Sequence, residues 1–366
     1  MNSRPIHLDR PFCCCIAPPD LLARVAEEGE PEERRAALDA LASSASLRTE
    51  RSLLGRIARE TGAEIRTLAA IDVPAGELQT VYDVGHGGRS DLPGTRKRGE
   101  GDPAAADQTV NDVFDNTRKT YEFYRDVWRR DSVDGAGMEL ISSVHYGVNF
   151  DNAFWNGAQM VYGDGSNRIF EVGKLTQALD VIAHELTHGV TQFTAALEYS
   201  KQSGALNEHF SDVFGTLANQ YSLGQTADQA TWLIGEGTLV PKLGRALRSM
   251  KEPGTAFNGD QQPGNMDDYI DLPDDNDPRN DNGGVHINSG IPSRAFYLLA
   301  IALGGHAWET AGKVWFTTLT GGHLQPDAQF TDAARATVQV AGELFGENGL
   351  EQEEVRSAWQ AVGVTS

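Results

Sequence analysis

The sequence predicts an α+β chain in three parts: a small helical segment (1–60), a strand-rich domain (61–192) and a mainly helical domain (193–366). Two observations carry that reading. The length, 366 residues, suits two ordinary domains plus an appendage. The apolar pattern is helical before about residue 60, strand-like through the middle, and helical again after about residue 175.

The elements follow in order. Within 18–60, Leu21, Leu22 and Val25 share one helical face, Ala36, Leu38 and Leu41 share another, and Gly29–Pro31 separates the two helices. From residue 64, "EIRTLAAIDV" and "LQTVYDV" read as strands between Gly-rich turns. A helix is expected over Asp107–Arg129, then strands and turns through "LISSVHYGVNFDNAFWNGAQMVYGDG". "LTQALDVIAHELTHGVTQFTAA" reads as one long helix and "ALNEHFSDVFGTLANQY" as another. Residues 251–284, rich in Gly, Pro, Asn and Asp, read as a loop, and helices resume at "NSGIPSRAFYLLAIAL".

Composition narrows the class. With 40% hydrophobic and 23% charged residues the chain reads as soluble and globular. A net charge of −21, from 31 basic and 52 acidic side chains, argues against nucleic acid or an anionic membrane as partner. No stretch reaches the ~18 apolar residues of a membrane helix, and the N-terminus lacks a signal-peptide run. The expectation is cytoplasmic synthesis of a monomer, with export by another route left open. Cys13, Cys14 and Cys15 adjoin one another, so they staple nothing; metal or redox chemistry stands against an exposed, reduced tail.

The chemistry concentrates in "DVIAHELTH". On a helix His184 and His188, four apart, face one ion, while Glu185 is rotated aside and can flank it. A catalytic zinc needs a third protein ligand and an open position. Glu208, on the next helix, supplies the former; Asp212 on its face and Asn207 beside it can accept hydrogen bonds from the ligand imidazoles and fix their tautomers.

The run "DVIAHELTHGVTQFTAALEYSKQSGALNEHFSDVFG" resembles the zinc core of the thermolysin family. "NFDNAFWNGAQMVYGDG", "ALRSM" and "DNGGVHINSGIPSRAFYLLA" resemble further blocks of it, in family order, from about residue 75 to the C-terminus. The 19 residues between His188 and Glu208 are the thermolysin-like number. Zinc aminopeptidases usually have one fewer and carry a Gly-Ala-Met-Glu-Asn signature that is missing here.

The resemblance implies a two-domain zinc endopeptidase acting on peptides or proteins. His184, His188 and Glu208 match the metal ligands. Glu185 matches the carboxylate that takes a proton from the attacking water and passes it to the leaving amine. His286 and Tyr199 match the oxyanion donors, and Asp281 the carboxylate that orients His286. Asn152 and Ala153 match the clamp on an extended substrate backbone. Arg248 matches the grip on a substrate carbonyl, and Val181, Leu247 and Phe170 match a pocket for a bulky apolar residue after the cut. The alternatives are a zinc aminopeptidase and a catalytically silent zinc-binding module.

Two departures matter. Of the acids that hold a calcium pair in the family, Asp180 and Glu236 remain, while Asn219, Thr231 and Leu233 replace others, so the double site is expected to be lost. The acidic stretch 272–284 reads as a solvated loop, with an ion of its own as the alternative. At the N-terminus, "CCCIAPPDLLARVAEEGEPEERRAALDAL" is similar to the short propeptide of the protealysin-like branch. That implies a self-inhibited precursor with Pro18, Pro19 and Leu21 or Leu22 near the cleft and a junction between about residues 45 and 72. A Cys14 thiolate, or a neighbour's, is a candidate for the open zinc position.

Overall fold

The computed structural model describes residues 14–44, 78–275 and 277–365. The expected strand at 64–73 and the expected junction between about residues 45 and 72 lie outside these residues.

A six-stranded sheet runs β1-β5-β6-β4-β2-β3: β1 is Cys14–Cys15, β2 Gln79–Asp83, β3 Thr95–Gly99, β4 Leu140–Val144, β5 Ala153–Trp155 and β6 Met160–Tyr162. β2, β4 and β6 are parallel; β3 and β5 are antiparallel to their neighbours. β1 adds to the β5 edge antiparallel, Cys14 opposite Trp155 and Cys15 opposite Phe154.

After β1 come α1 (Pro19–Glu28) and α2 (residues 31–44), broken at Gly29–Pro31 as the sequence predicts. α3 spans Gln108–Trp128. It starts where the Asp107 side chain accepts from the Thr109 amide and stops at Arg129, whose φ of 58° no helix continues. The long helix expected over 175–196 is instead α4 (Lys174–Gln177) and α5 (Leu179–Gln192), parted at Ala178, where ψ is 105°. α6 is Lys201–Leu223.

α5 is the central strut, buried along its whole length. It lies against α6, closely enough that a Cβ on Gly215 of α6 would stand 2.6 Å from the Asp180 carbonyl oxygen. A short ribbon, β7 (Leu233–Ile234) with β8 (Arg248–Ser249), brings Arg248 inward. α7 (Asp281–Asn288), α8 (Gly290–Leu303), α9 (Ala311–Thr320), α10 (Phe330–Phe345) and α11 (Leu350–Ala361) complete the helical half.

One buried apolar cluster runs through both halves and takes in Ile16, Leu21, Leu22 and Val25 of the N-terminal segment. Four such side chains at about 1.5–3 kcal/mol each outweigh the segment's surface ion pairs, Glu32–Arg168 and Glu33–Lys242, worth at most about 1 kcal/mol apiece. Apolar seating therefore holds the segment in place.

Candidate active site

α5 presents His184 and His188 on one face, and α6 presents Glu208 opposite them; all three are fully buried. His184 Nε2 lies 3.1 Å from His188 Nε2 and 3.4 Å from Glu208 Oε2, and His188 Nε2 lies 3.6 Å from Glu208 Oε1. Among the described residues they form the one group of three His, Cys, Asp or Glu whose ligand atoms fall within 4.8 Å of each other.

The proton arrangement says what belongs there. His184 Nδ1 donates to Asp212 Oδ1 at 2.8 Å, and His188 Nδ1 to Asn207 Oδ1 at 2.8 Å, with Ser211 Oγ 3.0 Å away. Burial pushes His188 down to about 3, so its ring is neutral. With each Nδ1 engaged, the two Nε2 atoms converge beside a Glu208 Oε2 that is buried without a hydrogen-bond partner among the described residues. Three buried acceptors aimed at one point fit a cation, and two imidazoles with a carboxylate suit zinc.

Asp212 does more than the sequence suggested. Its carboxylate also takes a two-pronged bond from Arg248: Nε to Oδ2 and Nη2 to Oδ1, each 2.8 Å. The fully buried Arg248 is thus fixed with Nη1 pointing into the cleft.

Glu185, fully buried, accepts from the Trp155 amide through Oε2 at 3.0 Å. Its Oε1 has no partner among the described residues. Burial, then the Cys15 and Glu208 charges, raise its carboxyl well above the usual range.

His286 is held by an unusual turn. Asp281, Asn282, Gly283 and Gly284 all have φ between 49° and 84°. The left-handed run curls the chain so that Asp281 Oδ1 meets His286 Nδ1 at 2.6 Å while Oδ2 takes the His286 amide at 2.6 Å. Gly283 has no room for a Cβ, which would lie 2.6 Å from Lys201 Cγ. Burial lowers the His286 pKa, but the Glu208 and Asp281 charges outweigh it and bring it up to about 9. Tyr199 donates its hydroxyl to Glu208 Oε1 and stands 3.4 Å from His286 Nε2.

The N-terminal segment occupies the cleft, but through other residues than expected. Pro18 and Pro19 are buried at the start of α1 and make none of the polar clamp contacts. Those fall to the three residues before them. The Ile16 amide donates to the Ala153 carbonyl at 3.1 Å, and the Ala17 amide to Asn152 Oδ1 at 3.1 Å. Arg248 Nη1 donates to the Ile16 carbonyl at 3.2 Å, and His286 Nε2 to the Cys15 carbonyl at 2.8 Å. One signal for this was present: a residue before proline is pushed towards extended backbone, which favours an extended Ala17.

Cys13 and the Cys14 side chain lie outside the described residues, and with them the expectation of a Cys14 thiolate on the metal. Cys15 is buried and accepts from Ser44 Oγ at 3.6 Å. Val181, Leu247 and Phe170 are fully buried in the same apolar cluster as Ile16. Of the suspected calcium acids, Asp180 accepts from the Val181 and Gly235 amides and Glu236 is exposed.

Two imidazoles and a carboxylate converging beside a second buried glutamate, in a cleft that grips an extended backbone, define a metallopeptidase centre. Family models agree: residues 80–192 match the catalytic domain of thermolysin metallopeptidases and residues 195–364 their alpha-helical domain. The chain is 43% identical to the Extracellular metalloprotease of Pectobacterium carotovorum subsp. carotovorum, over 100% of this chain and 98% of that one. It is 47% identical to Protease PrtS of Photorhabdus sp. (strain Az29), over 78% and 76%. Among solved structures it is similar to the precursor of protealysin, a metalloproteinase from Serratia proteamaculans, with a TM-score of 0.81 and 42% identity over 96% of this chain and 100% of that one. The chain belongs to the thermolysin family and is a zinc-dependent metalloendopeptidase.

Proposed function

We propose that this chain is the self-inhibited precursor of a neutral endopeptidase that cuts before bulky apolar residues. The observation that carries the reading is the convergence of His184, His188 and Glu208 beside Glu185, with the cleft filled by the chain's own Cys14–Ala17.

His184, His188 and Glu208 would hold zinc, which would supply the Lewis acidity that lowers the pKa of a water and polarises a carbonyl. Glu185, with Oε1 free of any hydrogen-bond partner among the described residues, takes the proton from the attacking water as a carboxylate and delivers it to the departing amine. His286, held as a donor by Asp281, and the Tyr199 hydroxyl stabilise the oxyanion. Asn152 and Ala153 align the substrate backbone, Arg248 holds its next carbonyl, and Val181, Leu247 and Phe170 receive an apolar side chain. The enzyme acts as a monomer. The similarity to the Extracellular metalloprotease of Pectobacterium supports action outside the cell.

The test is casein hydrolysis by mature wild type and Glu185→Gln, with zinc quantified in both. The expected result is one zinc in each and activity lower by ~10²–10⁴ in the variant. Zinc bound without hydrolysis by the mature wild type makes the protein a silent metal-binding module instead.

A further inference from the structure

The contacts in the cleft fix a register as well as an occupant. Moving along the chain, the Cys15 carbonyl meets His286 Nε2, the Ile16 amide the Ala153 carbonyl, the Ile16 carbonyl Arg248 Nη1, and the Ala17 amide Asn152 Oδ1. Four consecutive backbone groups thus fill four successive clamps, with none skipped. In a cleft of this kind the carbonyl at the oxyanion donor belongs to the bond that reacts. Here that carbonyl is Cys15's, and the residue after it is Ile16, branched, apolar and fully buried in the same apolar cluster that contains Val181 and Leu247.

We propose that Cys15–Ile16 is a bond this enzyme hydrolyses in its own chain: the segment lies in the cleft as a substrate in productive register. The proposal rests on the roles given above to Glu185 and His286. Hydrolysis breaks the Cys15 carbonyl carbon–Ile16 nitrogen bond. The water's hydroxyl becomes part of a new Cys15 carboxylate, and its proton passes through Glu185 to the Ile16 amine.

The surroundings determine what happens next. The fragment ending at Cys15 then has no covalent tie to α1 and is free to leave the cleft. Ile16 and Ala17 stay, tied to α1 through Pro18, with Leu21, Leu22 and Val25 still seated. The cut therefore trims the precursor while the remaining segment keeps half of the cleft filled.

The experiment follows the full-length chain by intact mass and N-terminal sequencing, in wild type, Glu185→Gln, Ile16→Leu and Ile16→Asp. A species beginning at Ile16 is expected from wild type and Ile16→Leu, absent from Glu185→Gln, and at least ~10-fold slower to form in Ile16→Asp. Hydrogen exchange in Glu185→Gln reads the register without turnover: the Ile16 and Ala17 amides are expected to be protected. If wild type hydrolyses casein but loses its segment only at other bonds, or if those two amides exchange freely, the proposal is overturned and the endopeptidase reading survives. If neither casein nor the segment is cut, both fall together.

Discussion

Asp212 serves two partners with one carboxylate. It orients His184 by accepting from Nδ1 and neutralises the buried Arg248. The two duties separate by substitution. In Asp212→Ala the guanidinium loses its counter-charge inside the protein, at a cost of about 3–5 kcal/mol, and His184 loses its orientation, weakening zinc binding by ~10–100-fold. In Asp212→Asn the amide oxygen can still accept from Nδ1, so zinc affinity is expected to fall less although Arg248 is still left without an anion. Zinc titration and thermal unfolding of both variants check this. Equal zinc affinity in wild type and Asp212→Ala would remove the orienting role.

At the scale of elements, the site depends on how closely α6 approaches α5. Gly215 sits at that crossing, where a Cβ would lie 2.6 Å from the Asp180 carbonyl oxygen and 3.3 Å from the His184 amide. Gly215→Ala must push the helices apart and carry Glu208 away from the histidines. The expected loss is about 1–3 kcal/mol of stability, with weaker zinc binding alongside it; normal values for both would mean that the helices have slack. This crossing was invisible in the sequence, where Gly215 looked like any helical glycine. Signals written into local chemistry were legible: the Asp107 cap and Arg129 end of α3, the Gly29–Pro31 break, and the i, i+4 histidines whose face α5 turns to Glu208. What could not be read was set by tertiary contact. Ala178 parts α4 from α5 with neither glycine nor proline to announce it, because the apolar period runs straight through. β1 has two residues, too few to display alternation, and is a strand because the β5 edge pairs with it. For that reason the proline pair drew attention and its three predecessors, which make the clamp contacts, did not.

For the whole molecule, the seam between α1 and the helical half carries one unbalanced charge. Asp20, partly buried on α1, has a buried Oδ2 that lacks a hydrogen-bond partner among the described residues. Burial first, then the Asp260 and Asp281 charges that face it, raise its carboxyl from 3.8 to about 7, against weaker help from the Leu21 and Gln261 amides. Asp260 is itself pushed up, chiefly by burial. Arg24, on the same helix, is engaged with Glu28. With the segment seated, Asp20 keeps its proton until about pH 7; once released, it gives the proton up near 3.8. Below about pH 4 both states are protonated and the group is neutral to seating. Between these values seating costs progressively more, reaching on the order of 4 kcal/mol above pH 7. Asp20→Asn removes the titration. Compared in a Glu185→Gln background, which blocks processing, the variant and its parent should melt together near pH 4 and diverge by several degrees by pH 8, with the Asn protein the more stable. Taking the difference at each pH cancels every other titrating group. A gap independent of pH would mean that Asp20 is ionised in the seated segment. A gap that opens as expected makes a rise in pH a force that loosens the segment from the cleft.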